Sequence, residues 1–173
     1  MTRDELAHRI TQRSLLRGEF LLRSGAISHE YFDKYLFESD PELLKAVAEA
    51  MAPLVPPGVD ALAGLELGGV PLAVMLGQVT GLPTLFVRKQ AKEYGTRRLA
   101  EGGEVAGSNL LIVEDVVTSG GQVVLSTRDL RERGATVATA LCVIDRQAGG
   151  PEALLAEGVE LRALYTMAQL KAA

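Results

Sequence analysis

The chain has 173 residues, 47% of them hydrophobic and 23% charged, with a formal net charge of −4 and a single cysteine. That length suits one domain over residues 1–173 with its own core. The acidic balance argues against a general nucleic-acid-binding surface. Cys142 alone cannot form an intrachain disulfide or a cysteine-based zinc site, and no apolar run nears the roughly 18 residues of a membrane span.

The first residues, Met1-Thr2-Arg3-Asp4-Glu5, lack the cationic and apolar regions of a signal peptide, so a cytoplasmic location is expected. Leu6, Ile10 and Leu15 or Leu16 recur at helical spacing and predict a helix over 3–16. Glu19-Phe20-Leu21-Leu22 reads as a short strand, Ser24-Gly25 as a turn, and the aromatic-rich stretch from Ser28 to Phe37 as extended chain. At Ser39-Asp40-Pro41-Glu42 a helix starts: Ser39 and Glu42 can form a capping box, with Pro41 in the first turn. That helix is expected to reach about Leu54, before Pro56-Pro57.

From Val59 the pattern becomes strand, turn, helix, repeated. Strands are predicted at 61–65, 84–87, 109–114, 137–144 and 160–165, the last completing the chain. Helices are predicted at 70–79, about 120–133 and around 152–156, with Gly81 and Gly134 as stops. Residues 88–107 form a long, charged, glycine-bearing segment. Alternating strands and helices imply an α/β fold, a central parallel sheet flanked by helices, with right-handed crossovers. Ligands in such sheets bind beyond the carboxyl ends of the strands. That rule brings Glu66–Gly69, Arg88–Gly95, Glu114–Gly121 and Arg146 around one cleft.

The most informative stretch is Leu110-Leu111-Ile112-Val113-Glu114-Asp115-Val116-Val117-Thr118-Ser119-Gly120-Gly121. An aliphatic run buried on both faces meets two carboxylates, and a small hydroxyl- and glycine-rich turn then opens a helix. The turn can present successive backbone N–H groups to a phosphate monoester. Acids beside a phosphate cradle make sense when they hold what lies between, and ribose hydroxyls are the obvious candidate. No Lys follows Gly121, so this is not an ATP-binding P-loop.

Glu66-Leu67-Gly68-Gly69 is a second strand-to-helix turn, whose glycines permit close backbone approach to a ligand. Arg88-Lys89-Gln90-Ala91-Lys92-Glu93-Tyr94-Gly95-Thr96-Arg97-Arg98 holds five cations just after a strand, where loop closure could bring them over a departing anion. Arg146, at the end of a buried strand, can grip a carboxylate through two parallel hydrogen bonds; an ion pair with Asp145 is the plainer alternative. Cys142, in Ala140-Leu141-Cys142-Val143-Ile144, reads as core.

The acidic pair with Thr118-Ser119-Gly120-Gly121 resembles the signature of the phosphoribosyltransferases, which bind phosphoribosyl pyrophosphate (PRPP). Three further segments make the resemblance specific to the orotate phosphoribosyltransferases. They are Gly18-Glu19-Phe20-Leu21-Leu22-Arg23-Ser24-Gly25 with Ser28 and Tyr31-Phe32-Asp33, the Arg88-Lys89-x-x-Lys92-x-x-Gly95 loop, and Asp145-Arg146. The resemblance implies the type I phosphoribosyltransferase fold with a small N-terminal hood, mainly residues 15–38. It implies that orotate and PRPP give orotidine 5′-monophosphate and pyrophosphate, with Mg²⁺ held mainly through PRPP and water rather than by protein ligands.

It also implies roles. Lys92, Glu114 and Asp115 would be catalytic. PRPP would be bound by Arg88, Lys89, Lys92, Tyr94, Glu114, Asp115, Val116, Val117, Thr118, Ser119, Gly120, Gly121 and Gln122. Glu66, Leu67, Gly68 and Gly69 would form the pyrophosphate loop, and Thr118 and Arg146 would contact orotate. The family implies a homodimer with a shared active site, Lys92 serving the neighbouring subunit, and no nucleic-acid or membrane partner. Two positions depart from the pattern: Tyr94 stands where many members have His, and Gly68 where some have Lys. A purine phosphoribosyltransferase would keep the sugar-phosphate site and change the base, against which Arg146 and the hood argue. A PRPP-binding regulator of the same fold would need a basic face.

Overall fold

A computed structural model describes residues 1–22, 24–95 and 98–173. Arg23 of the hood segment and Thr96 and Arg97 of the cationic loop lie outside the described residues. The elements are α1 (Arg3–Ser14), β1 (Leu15–Leu21), β2 (Ile27–Phe32), α2 (Lys34–Glu38), α3 (Pro41–Met51), β3 (Ala61–Leu65), α4 (Gly69–Thr80) and β4 (Thr84–Val87). They continue with β5 (Ala100–Glu101), β6 (Asn109–Val117), α5 (Gly121–Glu132), β7 (Thr136–Asp145), α6 (Gly150–Ala156), β8 (Glu160–Thr166) and α7 (Met167–Ala172).

Six strands form one sheet in the order β5-β4-β3-β6-β7-β8. All neighbours are parallel except β4 and β5. The sheet is covered on both faces, which is why its strands read as continuous aliphatic runs. From Leu110 to Val113, alternate residues of β6 enter different layers, and the alternation shifts across the acidic pair. Leu111 and Val113 pack with α1, α3 and α4, whereas Leu110, Ile112 and Val117 pack with α5 and α6. Each such fully buried aliphatic side chain contributes about 1.5–3 kcal/mol. Cys142 lies fully buried on β7, and burial pushes its thiol pKa up.

The helices follow their sequence periodicity. α3 buries Leu43, Val47, Ala48 and Met51, and α4 buries Gly69, Leu72, Ala73 and Leu76. Gly64 of β3 lets α4 approach the sheet, since a Cβ there would stand 2.8 Å from that of Ala73. β1 and β2 form a separate antiparallel hairpin. With α2 it makes the hood.

Several boundaries differ from expectation. α1 ends at Ser14; Leu15 and Leu16 begin β1, whose ladder with Phe32 and Tyr31 outcompetes a further helical turn. The stretch 28–37 is not extended throughout: Asp33 caps Tyr35 N and starts α2. Asp40, not Ser39, caps α3, accepting from the backbone of Glu42 and Leu43 at 3.1 Å, while Glu42 pairs with Arg9 instead of closing a capping box. β5 emerges inside the segment 88–107. The acidic pair lies within β6, which continues through Val117. After β8, Thr166 and Gln169 form a capping box that opens α7.

Candidate active site

The turn after β6 is shaped from below. Gly120 has φ of 79°, and a Cβ on it would meet Leu154 Cδ1 at 2.6 Å. Gly150, opening α6, fits against Val117 and Thr118 so closely that its own Cβ would lie 2.6 Å from Val117 Cγ1. Two glycines thus allow α6 to press the turn into one shape. Among the described residues, the N–H groups of Thr118, Ser119 and Gly120 meet no hydrogen-bond acceptor, and Thr118, Ser119 and Gly121 are exposed at the start of α5. These are the features of an anion cradle.

The acidic pair is more enclosed than the cradle. Asp115 is fully buried, and Lys34 Nζ of α2 stands 2.5 Å from its Oδ2. Glu38, one helical turn beyond Lys34, is also buried, and its Oε1 has no hydrogen-bond partner among the described residues. Burial, then the charge of Asp115, pushes the Glu38 carboxyl up to about 9. The same two causes hold Glu114 well above the usual carboxylate range. Burial lowers the pKa of Lys34, but its contact with Asp115 more than reverses that. One ammonium therefore serves three carboxyl groups, of which two favour keeping their protons. Neither Lys34 nor Glu38 was singled out from sequence; their i,i+4 spacing after the Asp33 cap was the available signal.

The hood closes over the carboxyl ends of β6 and β7. Between them lies a cavity of about 350 Å³, lined by hood residues including Ser28, Tyr31 and Lys34 and by Val116, Thr118 and Arg146. Arg146 is exposed to this space and forms no ion pair with Asp145. Asp145 instead accepts from Gln147 N at 2.8 Å, shaping the turn that projects Arg146. Glu114 and Asp115 do not line the cavity; Lys34 stands between it and Asp115.

The cationic loop lies apart. Lys92 is ion-paired with Glu101 of β5, and Arg88 reaches the same carboxylate at 3.8 Å. Lys92 lowers the pKa of Glu101 by hydrogen bonding. Tyr94 is exposed, and none of Arg88, Lys89, Lys92 and Tyr94 lines the cavity. The loop is tied to the neighbouring turn by Glu66, whose Oε1 accepts from Lys89 N at 2.6 Å.

That neighbouring turn, Glu66 to Gly69, has a cis peptide between Glu66 and Leu67. Its glycines are crowded by protein. A Cβ at Gly68 would lie 1.7 Å from Asp115 Oδ2, and one at Gly69 would lie 2.2 Å from the Val113 carbonyl oxygen. The structure thus brings Thr118, Arg146 and the hood to one cavity, sets Glu114, Asp115 and Gly68 behind it, and leaves Arg88, Lys89 and Lys92 outside.

Residues 37–154 match the phosphoribosyl transferase domain family. An orotate phosphoribosyltransferase of a Nocardioides species is 54% identical over 91% of this chain and 88% of its own. The chain belongs to the orotate phosphoribosyltransferases. A Halobacterium salinarum orotate phosphoribosyltransferase is 48% identical over 88% of this chain and 87% of its own. The Mycobacterium tuberculosis orotate phosphoribosyltransferase solved in complex with PRPP superposes with a TM-score of 0.85 at 28% identity, covering 98% of each chain. This chain therefore shares its overall fold with a solved orotate phosphoribosyltransferase along nearly its whole length.

Proposed function

We propose that this chain transfers the 5-phosphoribosyl group of PRPP to orotate, releasing orotidine 5′-monophosphate and pyrophosphate in pyrimidine biosynthesis. The observation that carries this reading is that one cavity is lined both by Arg146, which forms no ion pair among the described residues, and by Thr118 at the exposed turn. A planar base bearing a carboxylate fits between them. Arg146 takes the carboxylate through two charge-assisted hydrogen bonds, and Thr118 lies against the base. A purine offers no carboxylate to that guanidinium.

The 5-phosphate rests on the backbone from Val117 to Gly121, which Gly120, Gly150 and α6 hold in shape in advance. Glu114 and Asp115 accept from the ribose hydroxyls. With both ends fixed, C1 of the ribose is held toward the base, and alignment of the reactants lowers the barrier. Positive charge develops on the ribose ring as the bond to pyrophosphate breaks, and Arg88, Lys89 and Lys92 neutralise the departing anion. Tyr94 adds a hydrogen bond there without a charge. Among the described residues no group of three or more acidic, His or Cys side chains is arranged around a metal. Mg²⁺ would be held mainly through PRPP and water, which suits an ion that keeps much of its hydration shell.

Lys92 is paired with Glu101 away from its own cavity, which supports its service in the neighbouring cleft of a homodimer. Both substrates are anions that do not cross a bilayer unaided, which supports a cytoplasmic enzyme. The test is the loss of orotate absorbance on mixing enzyme, orotate, PRPP and Mg²⁺. Faster turnover of adenine or hypoxanthine than of orotate would sink the assignment.

A further inference from the structure

The turn Glu66-Leu67-Gly68-Gly69, next to the acidic pair, carries no cation. Position 68 has no room for one. The space beyond Gly68 Cα is filled by the Asp115 carboxylate, whose Oδ2 would lie 1.7 Å from any Cβ there. That same oxygen holds Lys34 Nζ at 2.5 Å. The ammonium therefore stands beside the point from which a longer side chain at residue 68 would project. It arrives from the hood side, on α2. Its side chain is 33% exposed whereas that of Asp115 is fully buried, so Lys34 is what Asp115 shows to the cavity. No ligand hydroxyl can reach Asp115 Oδ2 while Lys34 occupies it.

We propose that Lys34 is a further catalytic residue, which caps Asp115 in the empty site and passes to the pyrophosphate of PRPP when the ribose hydroxyls take its place. The inference rests on the sugar-phosphate site proposed above. In the displacement Asp115 exchanges an ammonium for neutral hydroxyl donors, and the freed ammonium meets an incoming polyanion. A lysine on a flexible four-carbon stem suits that short transfer, since it acts as a mobile point charge. The buried Glu38 carboxyl, which keeps its proton near neutrality, can donate a hydrogen bond to Asp115 when the ammonium departs.

The experiment compares the wild-type chain with Lys34→Met and Lys34→Arg by calorimetric titration with two ligands, inorganic pyrophosphate with Mg²⁺ and ribose 5-phosphate. Lys34→Met is expected to weaken pyrophosphate binding at least tenfold while ribose 5-phosphate binds as well as before or more tightly. Lys34→Arg is expected to recover most of the pyrophosphate affinity. Equal loss of both ligands would assign Lys34 a purely structural role and overturn the proposal, as would unchanged pyrophosphate binding. If Lys34→Met does not fold, Lys34→Met/Glu38→Gln carries the same measurement, with an amide donor supplied to Asp115. A folded wild-type chain that binds neither ligand defeats the sugar-phosphate site itself, a failure separable from that of Lys34.

Discussion

The turn at 118–121 and the loop at 88–98 are both assigned to the same substrate, yet they are prepared for it in opposite ways. The turn is built by close packing: Gly120 and Gly150 admit α6 beneath it, and the N–H groups of Thr118, Ser119 and Gly120 meet no acceptor among the described residues. The loop holds its charges on a substitute, the Glu101 carboxylate that engages both Lys92 and Arg88. A preorganised cradle binds without rearrangement, whereas the loop must exchange one anion for another before it contributes. Binding and catalysis are therefore expected to separate between these regions.

Lys92→Ala tests that separation most severely. Turnover is expected to fall about 10²–10³-fold, as when a charge-stabilising group is removed, with the melting temperature nearly unchanged. A large drop in stability would show that the Lys92–Glu101 pair is structural. Arg146→Ala should raise the orotate KM about 10- to 100-fold, the size of a lost charge-assisted contact, and leave the PRPP KM in place. If the PRPP KM rises equally, Arg146 does not read the base. Gly120→Ala should break the cradle: a side chain at φ 79° against Leu154 is expected to cost about 1–3 kcal/mol in chemical unfolding and to weaken ribose 5-phosphate binding.

A pH series probes the acids behind the cradle. Glu38 has its carboxyl raised from 4.5 to about 9 by burial and by Asp115. An acid raised on folding stabilises the fold most below its unfolded value, and that contribution is lost as pH climbs through the folded value. Glu38→Gln does not titrate, so its melting temperature should gain on the wild type steadily from about pH 5 to pH 9. Parallel curves would mean that Glu38 is ionised throughout. The smallest expected effect is that of Glu101→Gln, which frees the loop cations. A few-fold lower PRPP KM is expected, and a higher one would show that Glu101 helps closure.

Much of this site was legible before any coordinates. The aliphatic run 110–113 had to be buried on both faces, because nothing in it is polar. The glycines at 120 and 121 marked a turn that only a close neighbour or ligand requires. Other features were hidden because they depend on competition between partners. Glu42 could have capped α3 but finds Arg9, and Asp40 takes the cap. Leu15 and Leu16 could have extended α1 but pair with β2. Thr166 and Gln169 open α7 through a capping box whose spacing is present in the sequence.

Residue order and chemistry alone determined the parallel sheet, the glycine-rich turn at 118–121 and the resemblance to a family, since periodicity and local motifs are properties of neighbouring residues. Only the tertiary structure decided that Lys34 covers Asp115, that Gly68 is occupied by a carboxylate, and that Lys92 rests on Glu101. Those pairings join residues 81, 47 and 9 positions apart, and electrostatic partners at such separations are chosen by the packing of whole elements, which no local pattern encodes.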